Sequence, residues 1–361
     1  MSIVVILTYK YRIKDATVGK HLDRHSRAVN YVWNYCNQIQ REAESRWKAG
    51  RVAKWPSAFD LIKLCTGAGA DLGLHSDTVQ TVCREYAAKR DANRGHLRWR
   101  ASGGPKRALG WVPFIPRAVK IDGAHVVYLK RKFHFWKSRE IDGGFKAGSF
   151  VQDARGRWYV CFQCDVTDAL PTGNGEVGID LGLKTVATCS DGKKIEALRH
   201  YRQYEAALAR ESRAGNKRRV RAIHAKIANA RRHHLHERTT ELVRNNQFIA
   251  VGNVSPSKLA KTKMAKSVLD ASWATLKAQL RYKASRHGAV FLEVDERFTS
   301  QTCSRCGVIP ASSPKGMGAL GIRHWTCSCC GCSHDRDVNA AQNILRVGLE
   351  RQALAGEIPA L

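Results

Sequence analysis

The sequence predicts a multidomain protein of mixed α/β and α+β class, on three observations. Apolar residues recur at helical spacing in the first third, alternation of period two runs from about 108 to 168, and strand and helix signals alternate in the second half around two cysteine knuckles. With 361 residues, 43% of them hydrophobic, the chain has apolar surface for two or three units.

Val4 to Tyr11 reads as a short strand, after which Leu22, Val29, Trp33, Cys36 and Ile39 follow helical spacing. A second helix opens at Ser76-Asp77, either of which can accept orphan amides; Val79, Val82, Cys83 and Tyr86 share one face, with Gln80, Arg84 and Lys89 opposite. Basic residues interleaved with Trp99, Trp111 and Phe114 then surround Gly103-Gly104-Pro105, which stops any helix. Trp158, Val160, Phe162 and Cys164 alternate after a turn at Asp153–Gly156, as in a small sheet or barrel, and 165–175 reads as a linker. The second half predicts a strand at Val177–Leu183, a strand at Thr185–Cys189 with a turn at Ser190-Asp191-Gly192, and two helices broken at Gly215-Asn216. A strand at Phe248–Val251, a helix around Leu269–Ser285 and a strand at Val290–Val294 follow.

The 61 Lys and Arg against 31 Asp and Glu leave a formal charge of +30, which calls for a polyanionic partner. Residues 201–240 hold eleven Lys and Arg against three acids, with Lys217, Arg218, Arg219, Arg221, Lys226, Arg231 and Arg232 clustered. A face of one sign fits an RNA backbone or heteroduplex, whereas a solvated helix normally mixes signs. The aromatic and basic stretch from Arg98 to Trp111 could stack on unpaired bases or line a core. No segment approaches the ~20 apolar residues of a membrane span, and Ile3 to Leu7 is too short for a signal peptide, so a cytoplasmic protein is expected, nucleoid-associated when on DNA.

Six of the twelve cysteines crowd into Cys303–Cys332. Cys303-Ser-Arg-Cys306 and Cys327-Ser-Cys-Cys330 are two knuckles separated by twenty residues, the spacing of a closed four-thiolate site, for which Zn²⁺ in a structural role is the expected ion. Cys329 and Cys332 are surplus, though one of them could replace Cys330, and Cys36, Cys65, Cys83, Cys161, Cys164 and Cys189 read as small core side chains.

Asp180 lies in an apolar strand, where an unpaired charge is costly, and so calls for a metal or a cation. Glu296 follows the strand Val290–Val294, and Asp335-Arg-Asp337-Val-Asn-Ala-Ala341 opens a helix after the knuckles. Three such acids could converge to hold two Mg²⁺ ions for phosphodiester hydrolysis.

These residues resemble the TnpB proteins of small bacterial insertion sequences, relatives of Fanzor proteins and type V CRISPR effectors. The resemblance rests on Gly178-Ile-Asp180-Leu-Gly-Leu183, Lys226-Ile-Ala-Asn-Ala-Arg231 with its following His, Phe298-Thr-Ser-Gln-Thr-Cys-Ser-Arg-Cys-Gly307 and Asp335-Arg-Asp337-Val-Asn-Ala-Ala341, and covers nearly the whole chain. It implies an RNase H-like RuvC nuclease domain (171–302 and 334–361) with an inserted zinc ribbon (303–333), and a wedge β-barrel (1–20 and 105–170) interrupted by a helical recognition domain (21–104). Such proteins are RNA-guided DNA endonucleases that use a transposon-end guide RNA and a short target-adjacent motif in double-stranded DNA. The resemblance puts Asp337 rather than Asp335 among the metal ligands and Gln80 beside the motif duplex, where a Gln can read adenine. A monomer bound to RNA is expected.

One departure stands out. The second acid of the family ends a strand in a pattern like Val-Glu-Asp/Asn-Leu, whereas this chain has Val251-Gly252-Asn253-Val254. Either the protein binds guided DNA without cutting it, or another acid fills the position. Glu296 resembles the relocated glutamate of Fanzor proteins and a minority of TnpB-like proteins and is assigned the role, with Glu293 as second choice.

Overall fold

The computed structural model describes residues 4–14, 16–93, 96–167, 170–183, 185–254 and 272–356. They fall into two compact units, Ile6–Thr167 and Met1–Val5 with Asp168–Leu361.

In the first unit, the apolar stripe read from the sequence becomes the buried side of a 33-residue helix, α1 (Ala16–Lys48), with Leu22, Val29, Trp33 and Cys36 in the core. It starts before residue 21, so helix reaches into the stretch expected to belong to the barrel. Two short helices, α2 (Ala58–Leu64) and α3 (Ala68–Leu72), lead to α4 (Ser76–Asn93). A capping box between Ser57 and Asp60 starts α2. At α4 the expected cap is different: the His75 ring accepts the Asp77 amide at 3.2 Å, and the buried Asp77 carboxylate accepts from Arg117 at 2.9 Å.

The period-two region forms two sheets. β1 (Val5–Arg12), β7 (Trp158–Val166), β6 (Gly144–Gln152) and β2 (Trp111–Phe114) lie in that order, and β3 (Val119–Asp122), β4 (His125–Tyr128) and β5 (Arg131–His134) form a meander. A bridge between Ile13 and Phe135 links them, and Tyr11, Phe114, Phe133, Phe135, Phe150 and Phe162 fill the core. Trp111 packs at its edge, while Trp99 remains 46% exposed with the Arg41 guanidinium 5.0 Å from its ring.

In the second unit β10 (Lys194–Glu196), β9 (Thr185–Cys189), β8 (Gly175–Leu181), β11 (Asn246–Gly252) and β12 (Val290–Val294) make one five-stranded sheet. The β10-β9-β8 side is antiparallel and the β8-β11-β12 side parallel. Parallel neighbours require crossovers. These contain α5 (His200–Arg213) and α6 (Lys217–Asn245) before β11, and α7 (Trp273–His287) before β12; Leu269 to Ala271, the expected start of α7, lie outside the described residues.

Alternation along the strands decides what each face meets. Val177, Ile179, Ile249 and Val251 pack with Leu235 and Val243 of α6 and with Trp273, Leu276 and Leu280 of α7. Phe248, Ala250 and Val294 turn the other way, onto Ile344 of α8 (Arg336–Gly356). The helix comes close because Gly178 has no side chain: a Cβ there would lie 2.0 Å from the Ala341 carbonyl oxygen. A small hairpin, β13 (His324–Thr326) and β14 (Ser333–Asp335), precedes α8.

Candidate active site

Asp180 is two residues beyond Gly178 on β8, and so projects from the face that α8 covers. Ile179 pairs with Val251 in parallel register, which puts Gly252 beside Asp180 on the neighbouring strand. Gly252 pairs in turn with Val294, and Glu296 lies two residues past that partner. An acid leaving β12 by an even step returns to the same side of the sheet.

The side chain of Glu296 occupies the space that Gly252 leaves open. A Cβ at 252 would stand 2.7 Å from Glu296 Oε2 and 3.4 Å from Glu296 Cβ. The sheet position without an acid is thus covered by the carboxylate of the next strand's loop. Thr299 fixes that loop, its hydroxyl donating to the Glu296 carbonyl at 2.8 Å.

Asp337 enters from the first turn of α8, one helical turn before the Ala341 that rests on Gly178. Arg323 Nη1 donates to both its carboxylate oxygens, at 2.7 and 2.8 Å. Asp335 does something else. Its Oδ1 accepts the Asp337 and Val338 amides at 2.9 and 3.2 Å, an N-cap, and Lys194 pairs with it at 3.1 Å.

Asp180 senses the other two acids. Burial, and behind it the charges of Asp337 and then Glu296, push the Asp180 carboxyl up to about 8, while Arg336 and Arg323 pull the other way. Burial also raises Glu296, against the Val254 amide and Lys277, which favour its charged form. A buried carboxyl short of positive charge amid hard oxygen donors is the donor set a divalent cation such as Mg²⁺ takes. The carboxylates are nevertheless more open than the clusters of thiols in this protein, whose ligating atoms lie within 4.8 Å of one another; the Asp337 carboxylate is drawn to Arg323. Glu293, the second-choice acid, is engaged elsewhere: Lys277 holds it at 2.8 Å and Arg281 binds its other oxygen.

Asn339 and Asn343 were not singled out from the sequence. Both are 1% exposed on one side of α8, and each donates to the carbonyls of Thr299 and Thr302, at 2.7–3.2 Å. Asn339 also accepts the Ser304 amide at 2.8 Å, so α8 holds the segment joining Glu296 to the first knuckle. Two Asn four apart on a helix were the available signal.

Cys303, Cys306, Cys327 and Cys330 gather their sulfurs within 4.8 Å. The separations of 3.6 Å for Cys303–Cys330 and 3.8 Å for Cys306–Cys327 compare with about 3.8 Å along the edge of a tetrahedron with zinc–sulfur bonds of about 2.3 Å. Each knuckle closes with a glycine at positive φ, Gly307 donating to the Cys303 carbonyl and Gly331 to that of Cys327. Cys329 and Cys332 stay outside the cluster, and His334 Nε2 lies 3.1 Å from Cys303 Sγ. These thiols fit a structural zinc.

On α6, Lys217, Arg218, Arg219, Arg221, Lys226 and Arg232 are exposed and Arg231 is half-buried, while Ile227, Leu235, Thr239 and Val243 form the buried side. Gln80, in the other unit, is half-buried on α4 and accepts from Arg84 at 3.3 Å.

Comparison with known proteins finds similarity over much of the chain. Residues 159–263 match the OrfB_IS605 family, described as "Probable transposase", and residues 273–344 match the family described as Cas12f1-like, TNB domain. A Streptomyces pristinaespiralis protein named "Putative RNA-guided DNA endonuclease" is 37% identical over 56% of this chain and 52% of its own length. Its Escherichia coli counterpart InsQ, given the same description, is 28% identical over 64% of this chain and 65% of its own length. The chain therefore spans about half to two thirds of these curated relatives. The fold resembles a chain of the Cas12f1–sgRNA–target DNA complex, with a TM-score of 0.60 over 94% of this chain and 98% of that one, at 12% identity. Over these segments the chain is similar to proteins named as putative RNA-guided DNA endonucleases, and its fold is similar to that of the Cas12f1 chain.

Proposed function

We propose that the protein is an RNA-guided DNA endonuclease of the TnpB type, in which Asp180, Glu296 and Asp337 hold two Mg²⁺ ions in an RNase H-like RuvC domain. The carrying observation is the Glu296 carboxylate lying over Gly252 beside Asp180. The alternative of guided binding without cutting arose from Gly252 and loses its motive once a neighbouring glutamate fills that space. The first unit, on this reading, is the wedge barrel with its helical recognition domain, and the four cysteines carry zinc in a ribbon within the nuclease domain. The partners are a guide RNA and double-stranded DNA, with the protein acting as a monomer; no helix among the described residues is long and apolar enough to cross a membrane.

When bound, the cations would polarise the scissile phosphate, lower the pKa of an attacking water and stabilise the leaving oxygen. The chain's own residues prepare for this. Asp180, set on a rigid central strand, is held ready to ionise against positive charge. Glu296 is presented from a strand-end loop and Asp337 from a helix start, and Asn339 and Asn343 tether that loop. The exposed basic face of α6 supplies backbone contacts whose strength falls with salt, with a log–log slope of about 0.7–0.9 for each phosphate contact made.

The test uses the full-length protein with its copurified RNA, a labelled duplex carrying a match to that guide, and Mg²⁺. Cutting that disappears in Asp180→Ala and Glu296→Ala, with guide-dependent retention of the duplex preserved, is the expected result. An uncut duplex with wild-type protein that still retains it would establish the binding-only reading, and a protein that purifies without a defined RNA would remove guidance altogether.

A further inference from the structure

The helical part of the first unit contains a second gathering of thiols. Cys36 comes from the middle of α1, Cys65 from the C-cap of α2 and Cys83 from α4, and their sulfurs all lie within 4.8 Å of one another. Cys36 and Cys83 are fully buried and Cys65 is 6% exposed. From their three parent elements and sequence separations nothing about the sequence pattern announces them: there is no Cys-x-x-Cys among them.

We propose that Cys36, Cys65 and Cys83 form a three-thiolate site for a thiophilic d¹⁰ cation, zinc or cuprous ion, separate from the four-cysteine site. Three sulfurs bonded to one such ion at about 2.3 Å in a plane stand about 4.0 Å apart. Cys36 Sγ and Cys83 Sγ are 3.9 Å apart, so that pair needs no rearrangement to share an ion. The same distance is far from the ~2.05 Å of a disulfide, and all three cysteines are free.

Soft thiolates without an oxygen or imidazole partner select soft ions over Mg²⁺, which keeps this site chemically distinct from the carboxylates. Entry is available. Cys65 lines two hollows, one of ≈ 300 Å³ with Tyr31 and Leu64, the other of ≈ 290 Å³ with Ser76 and Gln80.

The ion would have structural work to do. α2 has seven residues, too few to hold a helix alone, and is anchored by the buried Leu61 at its middle and Cys65 at its end. A bond from Cys65 to Cys36 and Cys83 through a metal would tie α2 to both long helices.

The full-length protein, reduced, equilibrated with zinc or, separately, with Cd²⁺, and washed with a weak chelator to strip carboxylate-bound ions, should carry about two ions per chain. Cys65→Ala and Cys83→Ala should each carry about one, and Cys306→Ala should lose the other while retaining thiolate-to-cadmium absorption. A parallel cuprous titration decides which ion binds tighter. About one ion per wild-type chain with zinc and with Cd²⁺, together with no Cys65-dependent cuprous ion, overturns the proposal whatever the variants do, as does a second ion that survives Cys65→Ala in protein with unchanged circular dichroism. None of these readouts depends on DNA cutting, so failure here leaves the nuclease reading standing, and the reverse.

Discussion

The smallest substitution that probes the candidate active site is Gly252→Ala. Gly252 sits in ordinary strand backbone, so alanine brings no conformational strain, only a methyl group. That methyl would stand 2.7 Å from Glu296 Oε2, inside any real contact, and restoring about 3.4 Å moves the carboxylate by roughly 0.7 Å. A misplacement of about 1 Å at a reacting centre costs on the order of a hundredfold, so cutting should slow roughly ten- to a hundredfold with folding and guided binding intact. Glu296→Ala, which removes the ligand outright, should cost several kcal/mol, on the order of 10²- to 10⁴-fold. Returning an acid to the strand, as Gly252→Glu in the Glu296→Ala background, should recover part of the rate. Single-turnover cleavage of a labelled duplex measures all three, with Mg²⁺ saturating. Gly252→Ala cutting at the wild-type rate while Glu296→Ala is inert would refute the claim that the glutamate works from that space; wild-type rates in both would remove Glu296 from the mechanism.

Arg323 competes with any cation for Asp337, so Arg323→Ala should lower the Mg²⁺ concentration needed for half-maximal cutting; an increase would show that the pair instead holds Asp337 in position. Asn339 and Asn343 share the carbonyls of Thr299 and Thr302, so each Ala variant should cost about 1–2 kcal/mol in urea melts and the double variant more than the sum, whereas plain additivity would show that the two do not share a load. Lys283 donates to the His236 carbonyl and to the hydroxyls of Thr239 and Thr240, all at 2.7 Å, and burial, then the charge of Arg244, pull it down to about 8. The unfolded chain, with an ordinary lysine near ~10.4, then binds that proton more tightly, so stability should rise with pH from about 8 to ~10.4. Urea melts of wild type against Lys283→Met should show that increment only in wild type; an equal rise in both would place its source elsewhere.

Much of this protein could be read locally. The strand Val290–Val294 has the same bounds in the fold, the break at Gly215-Asn216 separates α5 from α6, and the two Cys-x-x-Cys knuckles bring four sulfurs within 4.8 Å of one another. Each depends on residues a few positions apart, where periodicity, turn chemistry and ligand spacing act directly. The cap of α4 escaped because His75, a residue with no strong cap preference, offered its ring nitrogen, and α1 extends past its expected start because the stripe from Leu22 onward does not mark where the preceding turn ends.

The acidic residues were visible one at a time, as charges in apolar surroundings or at element ends, and their convergence was an expectation; the register that sets Glu296 over Gly252 was not legible. That Glu296 stands over Gly252, and that Glu293 is consumed by Lys277 and Arg281, follows from the parallel register of β11 on β12 and from which face α7 covers. The thiols of Cys36, Cys65 and Cys83 converge only because three helices pack against one core. Spacing along the chain carries information about neighbours within a turn or a strand pair; which distant side chains share a few ångströms depends on register and helix docking, and these are set by burial of whole faces rather than by any motif.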